Sequence, residues 1–167
     1  MKADANRAHV ALPNAGALDR TDRQILRALQ ADGRISMTDL AKLVNLSDSP
    51  CVERVRRLER NGFILGYTAL LNPYQLGASL LAFVQVRLTG SSPQTLDAFH
   101  EAVRTIDEVS ECHMIAGGID YLLKIRLPDT ASYGRFLTQS ISTLPGVGHT
   151  QTFVVMEEVK ATHLLTI

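Results

Sequence analysis

Four arginines lie within seven residues of this chain, in the stretch CVERVRRLER that ends at Arg60. A guanidinium can donate two parallel hydrogen bonds to a guanine edge or a phosphate, which a lysine cannot. At about 100° per residue, Cys51, Val55 and Leu58 cluster on one side of a helix and most of the arginines on the other. The stretch is therefore a candidate nucleic-acid-reading helix, and an ordinary solvated helix face is the alternative.

The residues before the arginines predict two more helices. The first covers Asp19 to Ala31, with Asp19 as its N-cap, and the second begins at the capping box Ser36-x-x-Asp39. A short turn at Asn45-Leu46 leads to the third helix, which ends before Gly62. FILGYTALL (63–71) alternates enough to predict a strand or small hairpin. This order predicts a winged helix-turn-helix, in which the third helix enters the DNA major groove.

The predicted DNA site combines the arginines with small polar residues at helix starts. Free N–H groups at the start of the third helix suit a phosphate, and Pro50 fits only in its first turn. We predict DNA-binding roles for Ser36, Ser47, Ser49, Pro50, Glu53, Arg54, Arg56, Arg57 and Arg60. The predicted partner is double-stranded DNA.

The second half of the chain predicts a different domain. Strands at 80–88, 109–115, 121–127 and 147–159 alternate with helices at 93–105 and 130–143, which is the ferredoxin-like βαββαβ order. Both helices cover one face of such a sheet. The other face is predicted to carry Leu81, Phe83, Leu122 and Val154, which indicates that a second subunit covers it. The predicted fold class is α+β.

Charge also divides the chain. Residues 1–66 hold 11 Lys and Arg against 8 Asp and Glu (+3), and residues 67–167 hold 6 against 9 (−3). Only the first part is suited to a polyanion. We predict a disordered tail (1–17), a winged helix-turn-helix (18–66), a linker (67–79) and a sensor and oligomerisation domain (80–167). Without a membrane span or signal peptide, a cytoplasmic protein is expected.

Several long blocks resemble the Lrp/AsnC (feast/famine) family of transcriptional regulators. They are LDRTDRQILRALQADGRIS, LSDSPCVERVRRLERNGFILGYTALLNP, GGIDYLLKIRLPD and LPGV…TFVVMEEVK. The resemblance covers about residues 18 to 163. It implies DNA binding through the winged helix-turn-helix, and dimers that assemble into higher even-numbered rings, commonly octamers.

The resemblance also implies an amino-acid effector, held near the β2–β3 hairpin at a subunit interface. The family's Gly-x-x-Asp signature falls on Gly117, Gly118, Ile119 and Asp120; glycine N–H groups can receive a carboxylate, and an aspartate can hold an ammonium. Met114, Thr150, Thr152 and Phe153 are the pocket walls implied by the same resemblance. Leucine is the first effector to test, although Met114 and Phe153 stand where relatives often have Leu and Tyr. A plain hairpin turn is the alternative for AGGID (116–120).

An enzyme, or the regulatory subunit of one, is the rival class, because ferredoxin-like domains also bind amino acids in metabolic enzymes. Its candidate catalytic groups are His100, His113, His149 and His163. They lie on different predicted elements, without a Ser or Cys partner at motif spacing or a metal-ligand cluster. We therefore predict no enzyme activity, metal or cofactor, and Cys51 and Cys112 as small hydrophobic residues.

Overall fold

In a computed structural model, which describes residues 18–167, three helices form the first unit of the chain. Helix α1 (Arg20–Ala31) starts at a reciprocal capping box between Asp19 and Asp22, and α2 (Met37–Leu43) starts at Ser36, whose hydroxyl accepts the N–H of Asp39. Asn45 takes the predicted left-handed turn with φ of 56°, and α3 (Asp48–Arg60) follows. The tail predicted for residues 1–17 lies outside the described residues.

The three helices enclose a small apolar core. It consists of the buried residues Ile25, Leu26, Leu29, Leu40, Ala41, Val44, Cys51, Val55 and Leu58. Cys51 is fully buried, as predicted for a small hydrophobic residue. The two turns and the spacing of the apolar residues therefore produce the predicted helix-turn-helix.

The predicted wing does not form as a strand pair. The N–H groups of Phe63 and Ile64 donate to the carbonyl of Leu58 near the end of α3. Residues 65–71 contain no strand in the described part of the chain. Leu65, Leu70 and Leu71 are largely exposed. An alternating pattern makes a strand only where a hydrogen-bonded neighbour is present, and residues 65–71 have none in a single chain.

The second unit has the predicted βαββαβ order. Its elements are β1 (Leu80–Leu88), α4 (Pro93–Val103), β2 (Val109–Met114), β3 (Tyr121–Leu127), α5 (Thr130–Phe136) with a following π-helical turn (Leu137–Ile141), and β4 (Val147–Val154). The strands form one antiparallel sheet in the order β2-β3-β1-β4. The core lies between the helices and the sheet, around Val84, Phe99 and Leu123.

The other sheet face carries a different residue from the one predicted. Phe153 pairs with Phe83, whereas Val154 pairs with Ala82, which belongs to the core between helices and sheet. Paired residues of antiparallel strands point to the same face. The open face therefore carries Leu81, Phe83, Leu122 and Phe153. The prediction that Val154 lies on this face is wrong by one residue, and a shift of one residue moves a side chain to the opposite face.

The chain divides between Ala69 and Leu70, and Thr162–Ile167 group with the helical unit. The predicted sensor domain, 80–167, included these last residues. The side-chain amide of Gln30 on α1 donates to the carbonyl of Leu165 at 3.1 Å and accepts the N–H of Leu165 at 2.7 Å. Ile167 packs against the helical core. Such long-range contacts carry no local sequence pattern.

Candidate functional site

The exposed side of α3 is the candidate DNA-reading surface. Ser49, Glu53, Arg56 and Arg60 all lie on it and are exposed to solvent. Together with Asp48 and Val52, the first three line a broad depression of about 460 Å³. A carboxylate can accept from the cytosine amino group and an arginine can donate to guanine, so this surface offers both kinds of contact to base edges.

The four arginines of α3 have different partners. Arg60 Nη2 donates to Glu53 Oε1 at 2.8 Å, and this bond lowers the pKa of the Glu53 carboxyl. Both groups are largely exposed, so water screens the pair and DNA can replace either partner. Arg56 has no ion pair in residues 18–167. Arg56 and Arg60 are thus accessible to a polyanion.

Arg54 and Arg57 instead point towards the start of α1. Arg54 Nη1 donates to Asp19 Oδ2 at 2.6 Å and to Asp22 Oδ1 at 2.9 Å, and Arg57 Nη2 contacts both Asp22 oxygens at 2.6 Å. The Asp22 N–H, and then the Arg54 guanidinium, lower the pKa of the Asp19 carboxyl. The hydrogen bonds that Arg54 donates to Asp19 and Asp22 raise the pKa of the Arg54 guanidinium. Sequence reasoning missed Asp22, since it stands 32 and 35 residues from its partners.

The start of α3 differs from a simple phosphate site. Ser47 is its N-cap, but the Ser47 side chain makes no capping hydrogen bond. Asp48 places a carboxylate in the first turn, where it accepts the Thr38 hydroxyl at 3.2 Å. An acidic group at a helix N-terminus occupies the favourable end of the dipole and repels a phosphate. Ser36 and Pro50 are exposed at the starts of α2 and α3.

The β2–β3 hairpin folds back onto the end of β1. Asp120 Oδ2 accepts the N–H of Leu88 at 2.7 Å, and the N–H of Asp120 donates to the carbonyl of Val86 at 3.0 Å. Arg87 Nε donates to the carbonyl of Gly118 at 2.9 Å. Oδ2 of Asp120 is therefore engaged in holding the hairpin against β1. The other oxygen, Oδ1, is the one that can accept a hydrogen bond from a ligand.

The predicted effector residues do not meet in one cavity of a single chain. Met114 is on β2 and Thr150, Thr152 and Phe153 are on β4, and these strands are the two opposite edges of the sheet. Thr150 and Thr152 pair with core residues, while Phe153 faces the open side. Gly117 and Gly118 are exposed at the tip of the hairpin. A shared pocket would need residues from two chains.

A small cavity of about 110 Å³ lies beside the hairpin. It is lined by Gln85, Val86, Arg87, Ile119, His149 and Gln151. Of the predicted effector residues, only Ile119 lines it. Arg87 and His149 face each other across β1 and β4, a pairing that the strand register creates and that no motif in the sequence indicates. Arg87 already donates through Nε and Nη2 to the carbonyl of Gly118, so Nη1 is the guanidinium nitrogen that can bind a carboxylate.

The histidines of the rival enzyme hypothesis do not form a reactive group. His100 on α4 hydrogen-bonds the hydroxyl of the buried Tyr121 at 2.7 Å, and His113 on β2 pairs with Glu111 at 3.1 Å. Among residues 18–167, no three side chains of the metal-ligating types come together. In the same part of the chain, no helix has the length and apolarity to cross a membrane.

Comparison with known proteins covers both units. Residues 18–59 match the AsnC-type helix-turn-helix domain, and residues 81–165 match the Lrp/AsnC ligand binding domain. The chain is 55% identical over 150 residues to the leucine-responsive regulatory proteins of Klebsiella pneumoniae and of Escherichia coli K12, covering 90% of this chain and 92% of each relative.

Solved structures agree with the sequence matches. A transcriptional regulator from Neisseria meningitidis, in complex with L-methionine, has a TM-score of 0.86 at 34% identity, covering 90% of this chain and 97% of that one. A feast or famine regulatory protein from Mycobacterium tuberculosis, also complexed with L-methionine, gives 0.81 at 33% identity, with coverage of 89% and 99%. The chain therefore belongs to the Lrp/AsnC family and is a helix-turn-helix transcriptional regulator.

Proposed function

We propose that this regulator reads duplex DNA with the exposed side of α3. The observation that carries the proposal is that Arg56 and Arg60 are exposed, beside Ser49 and Glu53, on the helix that follows the α2 turn. An α-helix fits the major groove, and two arginines can reach guanine edges or phosphates from it. Residues 18–66 then act as the DNA-binding domain, and residues 67–79 connect it to the sensor domain.

Replacing Arg56 and Arg60 together by alanine tests this proposal. We expect the affinity of the intact protein for a duplex to fall at least about tenfold, and the salt dependence of binding to become shallower, because two cations no longer neutralise phosphates. Fluorescence anisotropy with a labelled duplex, titrated at several KCl concentrations, measures both quantities.

The matched control replaces Arg104 and Arg135 by alanine. These arginines are also exposed but lie in the sensor unit, so the control removes the same charge elsewhere. The affinity of this control for the duplex should stay within about twofold of wild type, since exposed charges that do not contact DNA are screened by salt. Equal losses in the two double variants would contradict the proposed surface.

We further propose that an amino acid controls this DNA binding, with L-leucine and L-methionine as the first candidates. Two relatives are leucine-responsive regulatory proteins, and two similar structures hold L-methionine. Asp120 would receive the ammonium through Oδ1, and the N–H groups of Gly117 and Gly118 would receive the carboxylate. Met114, Ile119, Thr150, Thr152 and Phe153 would form the walls.

Two copies of the chain are proposed to build that site. β2 and β4 lie at opposite sheet edges, which supports walls contributed by different chains. The apolar open face, with Phe83 and Phe153, supports a homodimer, and dimers would assemble further to an octamer. Such a DNA-binding regulator would act in the cytoplasm and would carry no catalytic residue, with the histidines in packing and surface roles.

A further inference from the structure

Asp22 is the one charged side chain that is buried in the described residues, with 2% of its surface exposed. It lies in the first turn of α1, where its own N–H is capped by Asp19 Oδ1 at 2.7 Å. Every polar contact of its carboxylate to another helix goes to α3, through Arg54 and Arg57. Burying a carboxylate costs free energy of folding unless the carboxylate is paired. Pairing with Arg54 and Arg57 is therefore what makes the burial of Asp22 possible.

The same pairing restrains the arginines. Arg54 and Arg57 stand three residues apart and therefore share one flank of α3. The side chains of Arg54 and Arg57 are 30% and 45% exposed, whereas that of Asp22 is only 2% exposed. If either arginine moved to a DNA phosphate, the buried Asp22 carboxylate would lose one of its partners, which is unfavourable. Asp19 adds a second carboxylate to the cluster, so two arginines face two aspartates and the cluster has no net charge.

A cluster of side chains with no net charge does not neutralise DNA phosphates and therefore does not release their counterions. The salt dependence of binding counts the phosphates that a protein neutralises, and an arginine already paired within the protein adds little to that count. Arg56 has no ion pair in the described residues, and Arg60 has only an exposed partner. The four arginines of one helix thus divide into two pairs with different surroundings.

Given the DNA-reading role proposed for α3, we infer that Asp22 is a positioning residue. It fixes the orientation of α3 on α1 through Arg54 and Arg57, and it withholds both arginines from DNA phosphates. Arg56 and Arg60 are then the arginines of α3 that neutralise phosphates. The sequence specificity of the surface depends on keeping Arg54 and Arg57 from phosphates, because phosphate contacts strengthen binding to every DNA sequence alike.

Four single substitutions to glutamine, at Arg54, Arg56, Arg57 and Arg60, test the division in the full chain. The probe is a mixed-sequence duplex, and the measured quantity is the slope of log affinity against log KCl concentration. Arg56→Gln and Arg60→Gln should each make the slope shallower by about 0.9 for each phosphate that is no longer neutralised. Arg54→Gln and Arg57→Gln should leave the slope at the wild-type value, as should the control Arg104→Gln.

Asp22→Asn tests the inference from the other side. Its amide oxygen can still accept a hydrogen bond, but the charge that holds Arg57 is gone. Affinity for the mixed-sequence duplex should rise several-fold at low salt, with a steeper slope. The preference for a duplex that the wild-type protein selects from a random-sequence pool should fall. Circular dichroism melting identifies variants that do not fold, and if Asp22→Asn is one of them, the four arginine slopes decide alone.

Two results overturn the inference, and they are distinguishable. If Arg54→Gln or Arg57→Gln flattens the slope as much as Arg56→Gln, the arginines held by Asp22 do contact phosphates, while DNA reading by α3 stands. If none of the four substitutions changes the slope, α3 does not contribute the phosphate contacts, and the proposed DNA-reading surface fails together with the role of Asp22.

Discussion

Residue types acquire their chemistry from their partners, as two aspartates of this regulator illustrate. Asp22 is buried against two arginines, whereas Asp120 uses one oxygen to hold Leu88 and has the other available. In the sequence, both are aspartates with no acidic residue within two positions. Helical periodicity predicted the buried side of α3 correctly, but it placed Arg57 with the outward-facing arginines, whereas Arg57 contacts Asp22. The contacts of Asp22 depend on how two helices cross, which no local pattern encodes.

At this scale, Asp120→Asn tests the effector site. An asparagine oxygen can still accept the N–H of Leu88, so the hairpin should be retained while the charge for an ammonium is removed. We expect L-leucine or L-methionine to raise the melting temperature of the wild-type protein, because a ligand that binds the native state stabilises it. The Asp120→Asn variant should melt without that increase.

The control for this measurement is Glu101→Gln, which neutralises an exposed carboxylate on α4 of the same unit. It should respond to the amino acids as the wild type does. A shift of wild-type size in Asp120→Asn would show that Asp120 is not the ammonium partner.

Helices were more predictable than extended segments, for a physical reason. A helix start depends on residues close in the sequence, such as the N-caps Asp19 and Ser36. The same holds for turns that need a residue with positive φ, as at Asn45 and Gly62. A strand depends on a neighbour that the local sequence does not contain. Residues 65–71 alternate like a strand but have no partner in one chain, and Val154 was assigned to the wrong face.

The open face of the sheet provides a prediction at the scale of elements. Phe153 and Val154 are adjacent on β4 and equally exposed, at 46%, but they point to opposite faces. Phe153→Gln should weaken self-association about a hundredfold or more, because a symmetric interface then lacks two buried phenylalanines. Val154→Gln should leave it nearly unchanged. Sedimentation equilibrium measures the difference, and equal effects would argue against the open face as the interface.

The whole molecule combines two units of opposite charge balance. The residues up to 66 carry +3 and the rest −3, so the intact chain is neutral although one part of it is suited to DNA. A single, modestly basic helical unit binds DNA weakly, and several copies held together raise the effective affinity. Assembly through the sensor units would therefore strengthen DNA binding by the helical units.

This arrangement allows an amino acid to act on DNA affinity without touching DNA. If the effector is bound where two chains meet, it can change how the helical units are presented to a duplex. Linkage then requires the reciprocal effect, with DNA altering the affinity for the amino acid by the same factor. The sequence predicted DNA and an amino acid as partners through the family resemblance, and it did not predict that Asp120 and Gly118 bind the end of β1.

The most direct test is the affinity of the intact protein for a duplex that it selects from a random-sequence pool, measured with and without L-leucine or L-methionine at saturation. An amino-acid-responsive regulator should change its affinity at least about fivefold with one of them, and Asp120→Asn should not. Tight duplex binding that stays the same in the presence of every common amino acid would contradict the account.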